Sequence, residues 1–214
     1  HIGAKELMTL VNSAPTMKLS LPLADIPIAL GERKDYVALV KLNTYYKFIS
    51  DDNGNIRKSI FESNVRDYQG YNNVNKAIQH TLSANDKDDF WWLNNGVTII
   101  ASDAIQETSK RLLITDPEIV NGLQTSNEIF SFFKNNPDKL DMEYRNILVR
   151  VIVAESESSR DKIILATNSQ TSIPAVALRT TDAIHRNIEM CLKYHGLYYD
   201  RRKNYYRNQG KRPS

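Results

Sequence analysis

The chain has 214 residues, 41% hydrophobic and 25% charged, with 8 Gly, 7 Pro and a net charge of +3, which excludes collagen-like, coiled-coil and wholly disordered readings. No apolar run approaches the ~20 residues of a membrane span, and a single cysteine, Cys191, excludes an internal disulfide framework and a cysteine-built zinc site. Histidines stand apart at 1, 80, 185 and 195, while the 20 Asn and 11 Tyr supply groups that recognise rather than do acid–base work unaided.

Residue 1 is His with no signal-peptide core behind it, so the chain is read as a fragment of a longer protein made in a reducing cytoplasm. Residues 2–12 read as a short helix with Leu7, Leu10 and Val11 on one side. Met17, Leu19, Leu21 and Leu23 alternate with small or polar residues, which predicts a strand. The polar turn at 31–35 is the best candidate for a break between a lead-in of residues 1–35 and a core of residues 36–200. Residues 36–42 predict a second strand. Asn43 or Thr44 caps a helix through Ile49, closed by Asp52-Asn53-Gly54.

Asn72 or Asn73 then caps a helix with Val74, Ala77, Ile78, Thr81 and Leu82 at helical spacing. Strands are predicted at 97–100, 111–115 and 118–120. A helix over 123–134 places Leu123, Phe130 and Phe133 on one face and stops at Asn135-Asn136-Pro137. The strongest strand signal is 147–153. Ser156 or Ser158 caps a helix to about Thr167, and a long helix over 175–195 ends at Gly196. Strands alternating with helices point to an α/β or α+β fold, with a mixed central sheet and flanking helices.

Charge is uneven. Residues 201–214 carry Arg201, Arg202, Lys203, Arg207, Lys211 and Arg212 and no acid; subtracting these six from the net +3 leaves −3 on residues 1–200. Tyr198, Tyr199, Tyr205 and Tyr206 interleave. Cations beside aromatic rings suit a nucleic-acid backbone, with Arg201, Arg202, Lys203 and Arg207 on phosphates. A solvated, truncated tail has the same composition.

Four amide-rich motifs carry the functional reading. The first, 61–70 followed by Asn72 and Asn75, precedes a helix N-terminus that favours an anion, and Arg66 adds a bidentate donor. A loop whose Asn side chains bond their own backbone also fits. The second, Phe90 to Ile100, is first a turn signal at Asn95-Gly96; Asn94 and Asn95 beside an aromatic pair also suit the edge and face of a base. The third, Ile119 to Thr125, is strand, turn at Asn121-Gly122, then helix, with Gln124 and Thr125 in the first turn. This is a phosphate-cradle geometry without the lysine of a P-loop. The fourth, Ala166 to Thr171, sits at a helix end, where Asn168 and Gln170 either cap or face a cleft.

In this order the motifs resemble one family, the AIPR proteins, named for abortive infection and phage resistance in bacteria. The strings that carry the likeness are FESNVRDYQGYNNVNKAIQHTL (61–82), FWWLNNGVTII (90–100), EIVNGLQTSNEI (118–129) and ATNSQTSIPAVALRTTDAIHRNIE (166–189). The resemblance implies a cytoplasmic bacterial phage-defence protein, longer at both ends and often encoded near restriction–modification genes, with other defence or restriction–modification proteins as partners. It implies no settled chemistry. The strand–NGLQT–helix string is similar, more weakly, to the DGQHR motif of the ParB/sulfiredoxin-like group, whose members bind nucleotides or DNA. Asn121 here replaces the acid and Thr125 the arginine.

Three classes remain. The first is a nucleic-acid or nucleotide-binding module in which Arg66, Asn75, Asn94, Asn95, Asn121, Gly122, Gln124, Thr125, Asn168 and Gln170 serve one amide-rich cleft, with no cofactor, metal or membrane partner. The second is a metal-dependent nuclease, which needs converging carboxylates; Asp25 with Glu32 and Lys34, the pair Asp116 and Glu118, or Asp182 with Glu189 would have to supply them. The third is a non-catalytic scaffold or regulatory domain whose amides hold loops together.

Overall fold

A computed structural model describes residues 16–62, 73–84 and 88–168, with Glu189, 192–194 and 196–199 besides. In chain order its elements are β1 (Lys18–Pro22), β2 (Ile28–Leu30), β3 (Asp35–Lys41), α1 (Leu42–Ile49), α2 (Asn73–Ser83), β4 (Val97–Ala101), β5 (Asp103–Thr108), β6 (Arg111–Thr115), β7 (Glu118–Asn121), α3 (Leu123–Asn135), β8 (Asn146–Val153) and α4 (Glu157–Asn168). Short 3-10 turns lie at Lys58–Phe61, Phe90–Trp92 and Pro137–Lys139.

The strands form two sheets. One has the order β1-β6-β5 and is antiparallel; the other has the order β2-β3-β8-β4-β7. In the larger sheet β4 runs parallel to β8 while the remaining pairs are antiparallel, which makes it the expected mixed sheet. Period-two burial on β3 and β8 sets the register: Tyr36 faces Val151, Ala38 faces Val149 and Val40 faces Ile147 across the ladder, all buried on one side. Every residue of β4 is buried, as a central strand covered on both faces requires. The main core joins these strands to Tyr45 and Ile49 of α1, Ile78 and Leu82 of α2, Phe133 of α3, and Leu21 and Leu112 of the smaller sheet. On the other face Ile164 of α4 packs on Ile100 and Val120.

Predicted strands at 17–23, 36–42, 97–100, 111–115, 118–120 and 147–153 match observed ones within about two residues, the usual play at element ends. Two strands escape periodicity. β2 is three residues long with all three exposed, and β5 buries only Ala104. The cap assigned to Asn43 or Thr44 is corrected. α1 begins at Leu42, directly from β3, and its first amide donates to the Arg145 carbonyl at 3.0 Å, so no side-chain cap is needed. Asn43 instead donates from Nδ2 to the Leu140 carbonyl at 3.0 Å. Ser156 does cap α4, its Oγ accepting the Ser159 amide at 3.1 Å. The helices predicted over 2–12 and, almost wholly, 175–195 lie outside the described residues.

One polar chain ties the core to the start of α3. Ser126 donates from Oγ to the Gly122 carbonyl at 2.8 Å, so the fully buried Tyr45 hydroxyl, 2.7 Å away, is the donor to Ser126. Burial pushes the Tyr45 phenol well above its ordinary value, which keeps that proton in place. Tyr45→Phe is expected to lower unfolding free energy by about 1 kcal/mol, the usual net worth of such a bond. Equilibrium urea unfolding measures it; an unchanged midpoint would show that the chain carries no stability.

Candidate functional site

Two sequence features build the site. Asn-Gly pairs precede β4 and follow β7, two antiparallel neighbours, so both turns emerge at the same end of the sheet. Both glycines need their identity. Gly96 has φ +76° and Gly122 φ +97°, left-handed values that side chains rarely adopt. A Cβ on Gly122 would lie 2.7 Å from Val97 Cγ2, and one on Gly96 would strike the Leu148 carbonyl oxygen. Gly122 turns the chain sharply from β7 into α3, so Gln124 and Thr125 occupy the first helical turn beside Asn94. The amides of a first turn have no intrahelical acceptor.

α2 closes the opposite wall. The stripe Val74, Ala77, Ile78, Thr81, Leu82 splits in two along its length. Leu82 is buried in the core, Ile78 is buried but also reaches the cleft wall, and Val74, 61% exposed, stands on that wall with Ala77 and Thr81. Between α2 and the two turns lies a cleft of about 280 Å³, near the lower end of the range for ligand pockets. Asn94, Asn95, Asn121, Gly122, Gln124 and Thr125 line its polar side, and Ala77, Ile78, Phe90 and Leu93 its apolar side. Among the described residues that line it, none carries a charged side chain.

Its amides are not equivalent. Asn94 Oδ1 accepts the Gly96 amide at 3.0 Å, and its Nδ2 lies 3.3 Å from Thr125 Oγ1. Asn94 thus holds its own turn and pins it to α3. Asn121 donates from Nδ2 to the Thr167 carbonyl at 2.7 Å, which brings the start of the fourth motif to the third. Gln124 Oε1 is buried and meets no donor. Asn95 is exposed.

The second and third motifs, some thirty residues apart, therefore share one cleft, and the fourth reaches it through Thr167. Asn75 is buried in α2 but does not line the cleft. Trp91 and Trp92 pack edge to face, 6.4 Å apart, and stand outside it; Phe90 is the ring on the wall. Arg66, the Asn168 side chain, Gln170, Arg201, Arg202, Lys203 and Arg207 lie outside the described residues.

Of the carboxylates weighed for a nuclease, Asp25, Asp116 and Glu118 each hold a partner of their own, and Asp116 and Glu118 line a second cavity together. Asp116 has φ +47°, and its two oxygens accept the Met17 amide at 2.8 Å and the Ser102 hydroxyl at 3.0 Å. Glu118 is ion-paired with the buried Arg160. Asp25 pairs with Lys110 and Lys34 with Asp103, while Asp182 lies outside the described residues. Among the described residues no three His, Cys, Asp or Glu side chains group as a metal site, and no helix is long and apolar enough to cross a membrane.

Sequence reasoning passed over the residues that hold α2 against the sheet. Arg145 and Glu143 form a buried pair with an Nη2–Oε2 distance of 2.8 Å. Arg145 also donates to the carbonyls of Thr81 and Leu82 at 2.9 and 3.0 Å, at the C-terminal end of α2. Gln79 donates to Glu128 of α3 at 2.6 Å. A glutamate and an arginine two residues apart, just before the strand run at 147–153, were the signal in the sequence.

A family model described as AIPR protein matches residues 61–214. The chain belongs to the AIPR family. Every residue that lines the cleft falls within the matched span. The family ties the chain to abortive infection and phage resistance. No curated protein and no solved structure matches the chain.

Proposed function

We propose that this AIPR protein acts in bacterial phage defence as a nucleic-acid or nucleotide-binding module, in the cytoplasm, alongside other defence or restriction–modification proteins. The amide-rich cleft is its recognition site. The observation that carries the reading is convergence: Asn94, Asn95, Asn121 and Gln124 come from two separate turns to one cleft whose described lining residues carry no charged side chain. Amides read the edges of bases and ribose hydroxyls, and an apolar wall takes a ring face. Acid–base or metal chemistry would need titratable groups on that wall.

The test is a titration of the purified chain with duplex DNA, single strands and mononucleotides at two salt concentrations. Asn94→Ala and Gln124→Ala are each expected to weaken binding by about 1–3 kcal/mol, the cost of leaving recognition partners unpaired. A contribution from the basic residues 201–214 would appear as a steep fall of affinity with salt. Binding of none of these ligands sinks the reading. Magnesium-dependent DNA cutting lost in Asp116→Asn would favour the nuclease instead.

A further inference from the structure

We infer that the cleft takes an unpaired nucleobase bearing an exocyclic amino group, adenine, cytosine or guanine, in preference to uracil or thymine. The inference rests on the proposed reading of the cleft as a nucleotide site and names what that site selects.

Three observations combine. The first is a lining that, among the described residues, is uncharged, with apolar Ala77, Ile78 and Phe90 on one side. A flat neutral ring finds apolar surface there for its face. The second is size. A cleft of about 280 Å³ admits a single base or nucleoside and not a duplex, and within a duplex the Watson–Crick edge is occupied by the partner strand.

The third is the direction of the amides. A backbone carbonyl only accepts, so the bond from Asn121 Nδ2 to Thr167 O fixes that amide, leaving Oδ1 as its acceptor. Gln124 adds a second carbonyl oxygen, Oε1, buried and without a donor. Asn94 Oδ1 is already taken by the Gly96 amide. Two acceptors favour an edge that donates. Amino-bearing bases offer N–H pairs there, while uracil and thymine present one N–H flanked by two carbonyl oxygens, which the two acceptors repel.

The experiment measures binding of AMP, CMP, GMP, UMP and ribose 5-phosphate to the 214-residue chain by calorimetry. The amino-bearing nucleotides are expected to bind at least about tenfold more tightly than UMP, with ribose 5-phosphate not binding, since one base-edge contact set discriminates by that order. Gln124→Met keeps the volume and removes the acceptor. It is expected to weaken AMP about tenfold while UMP binds as before or more tightly, the repulsion of its carbonyls being relieved, a change of selectivity that a loosened fold would not produce. UMP binding as tightly as AMP overturns the inference. So does ribose 5-phosphate binding like the nucleotides, which would leave a phosphate site and nucleotide binding intact. Failure of all four nucleotides and of single-stranded DNA overturns the underlying reading as well. Should Gln124→Met not fold, the order of the five ligands on the unaltered chain decides.

Discussion

Arg145→Ala is expected to lower the unfolding free energy by about 3–5 kcal/mol, because it removes one partner of a buried ion pair and leaves the other uncompensated. The side chains of Arg145 and Glu143 are 9% and 5% exposed. The guanidinium donates to both Glu143 oxygens and to two α2 carbonyls, so one substitution removes four hydrogen bonds, and Glu143 Oε1 keeps only the backbone amide of residue 145 at 3.0 Å. The Glu143 carboxylate holds the Arg145 charge more firmly than in free arginine, despite the cost of burial. Arg145→Lys is expected to recover only part of the loss, since an ammonium cannot reproduce the fork that spans Glu143 and the helix end. Urea unfolding of both variants measures this. The effect reaches the cleft as well, because α2 is its apolar wall and Arg145 grips the end of that helix. A loss of less than about 1 kcal/mol in Arg145→Ala would place this pair among weak surface contacts.

The sheet was readable from sequence because its central strands alternate or are wholly apolar, and these patterns follow from burial on one face or two. The runs at 97–100 and 147–153 are such segments, and they are the parallel pair at the middle of the larger sheet. The strands β2 and β5 were not readable. They lie at sheet edges, where side chains face solvent and leave no apolar period. The cap of α1 was misplaced for a related reason. Its first amide is satisfied by the Arg145 carbonyl, a partner about a hundred residues away that no local rule sees. The cleft was partly legible. Asn-Gly pairs mark turns, and their glycines do adopt positive φ. That both turns open at one end of the sheet follows only from the pairing of β4 with β7, and α2 is held by buried polar contacts that leave no periodic trace.

The two turn glycines separate stability from the proposed recognition. Gly96→Ala is expected to cost about 2–5 kcal/mol, combining roughly 1–2 kcal/mol for a side chain in the left-handed region with roughly 1–3 kcal/mol for overpacking. Its Cβ strikes the Leu148 carbonyl and comes 3.0 Å from Leu148 Cβ. That backbone belongs to β8, which is laddered to β3 on one side and β4 on the other, so it cannot yield without breaking the sheet. Gly122→Ala meets a softer obstacle, the Val97 Cγ2 methyl at 2.7 Å, with the Gly96 carbonyl at 3.1 Å. Its φ of +97° remains unfavourable for alanine. The turn can relieve both by opening, which moves Gln124 and Thr125 relative to Asn94 and leaves β8 undisturbed. Gly122→Ala is therefore expected to lose about 1–3 kcal/mol of stability and, on the proposed reading of the cleft, to weaken nucleotide binding by more than that substitution weakens the fold. Unfolding midpoints and calorimetric titration of the two variants measure the contrast. Stability losses in the reverse order would mean that the Gly96 turn, not the Gly122 turn, is the one free to move; a folded Gly122→Ala chain with undiminished affinity would remove the β7–α3 turn from the recognition site.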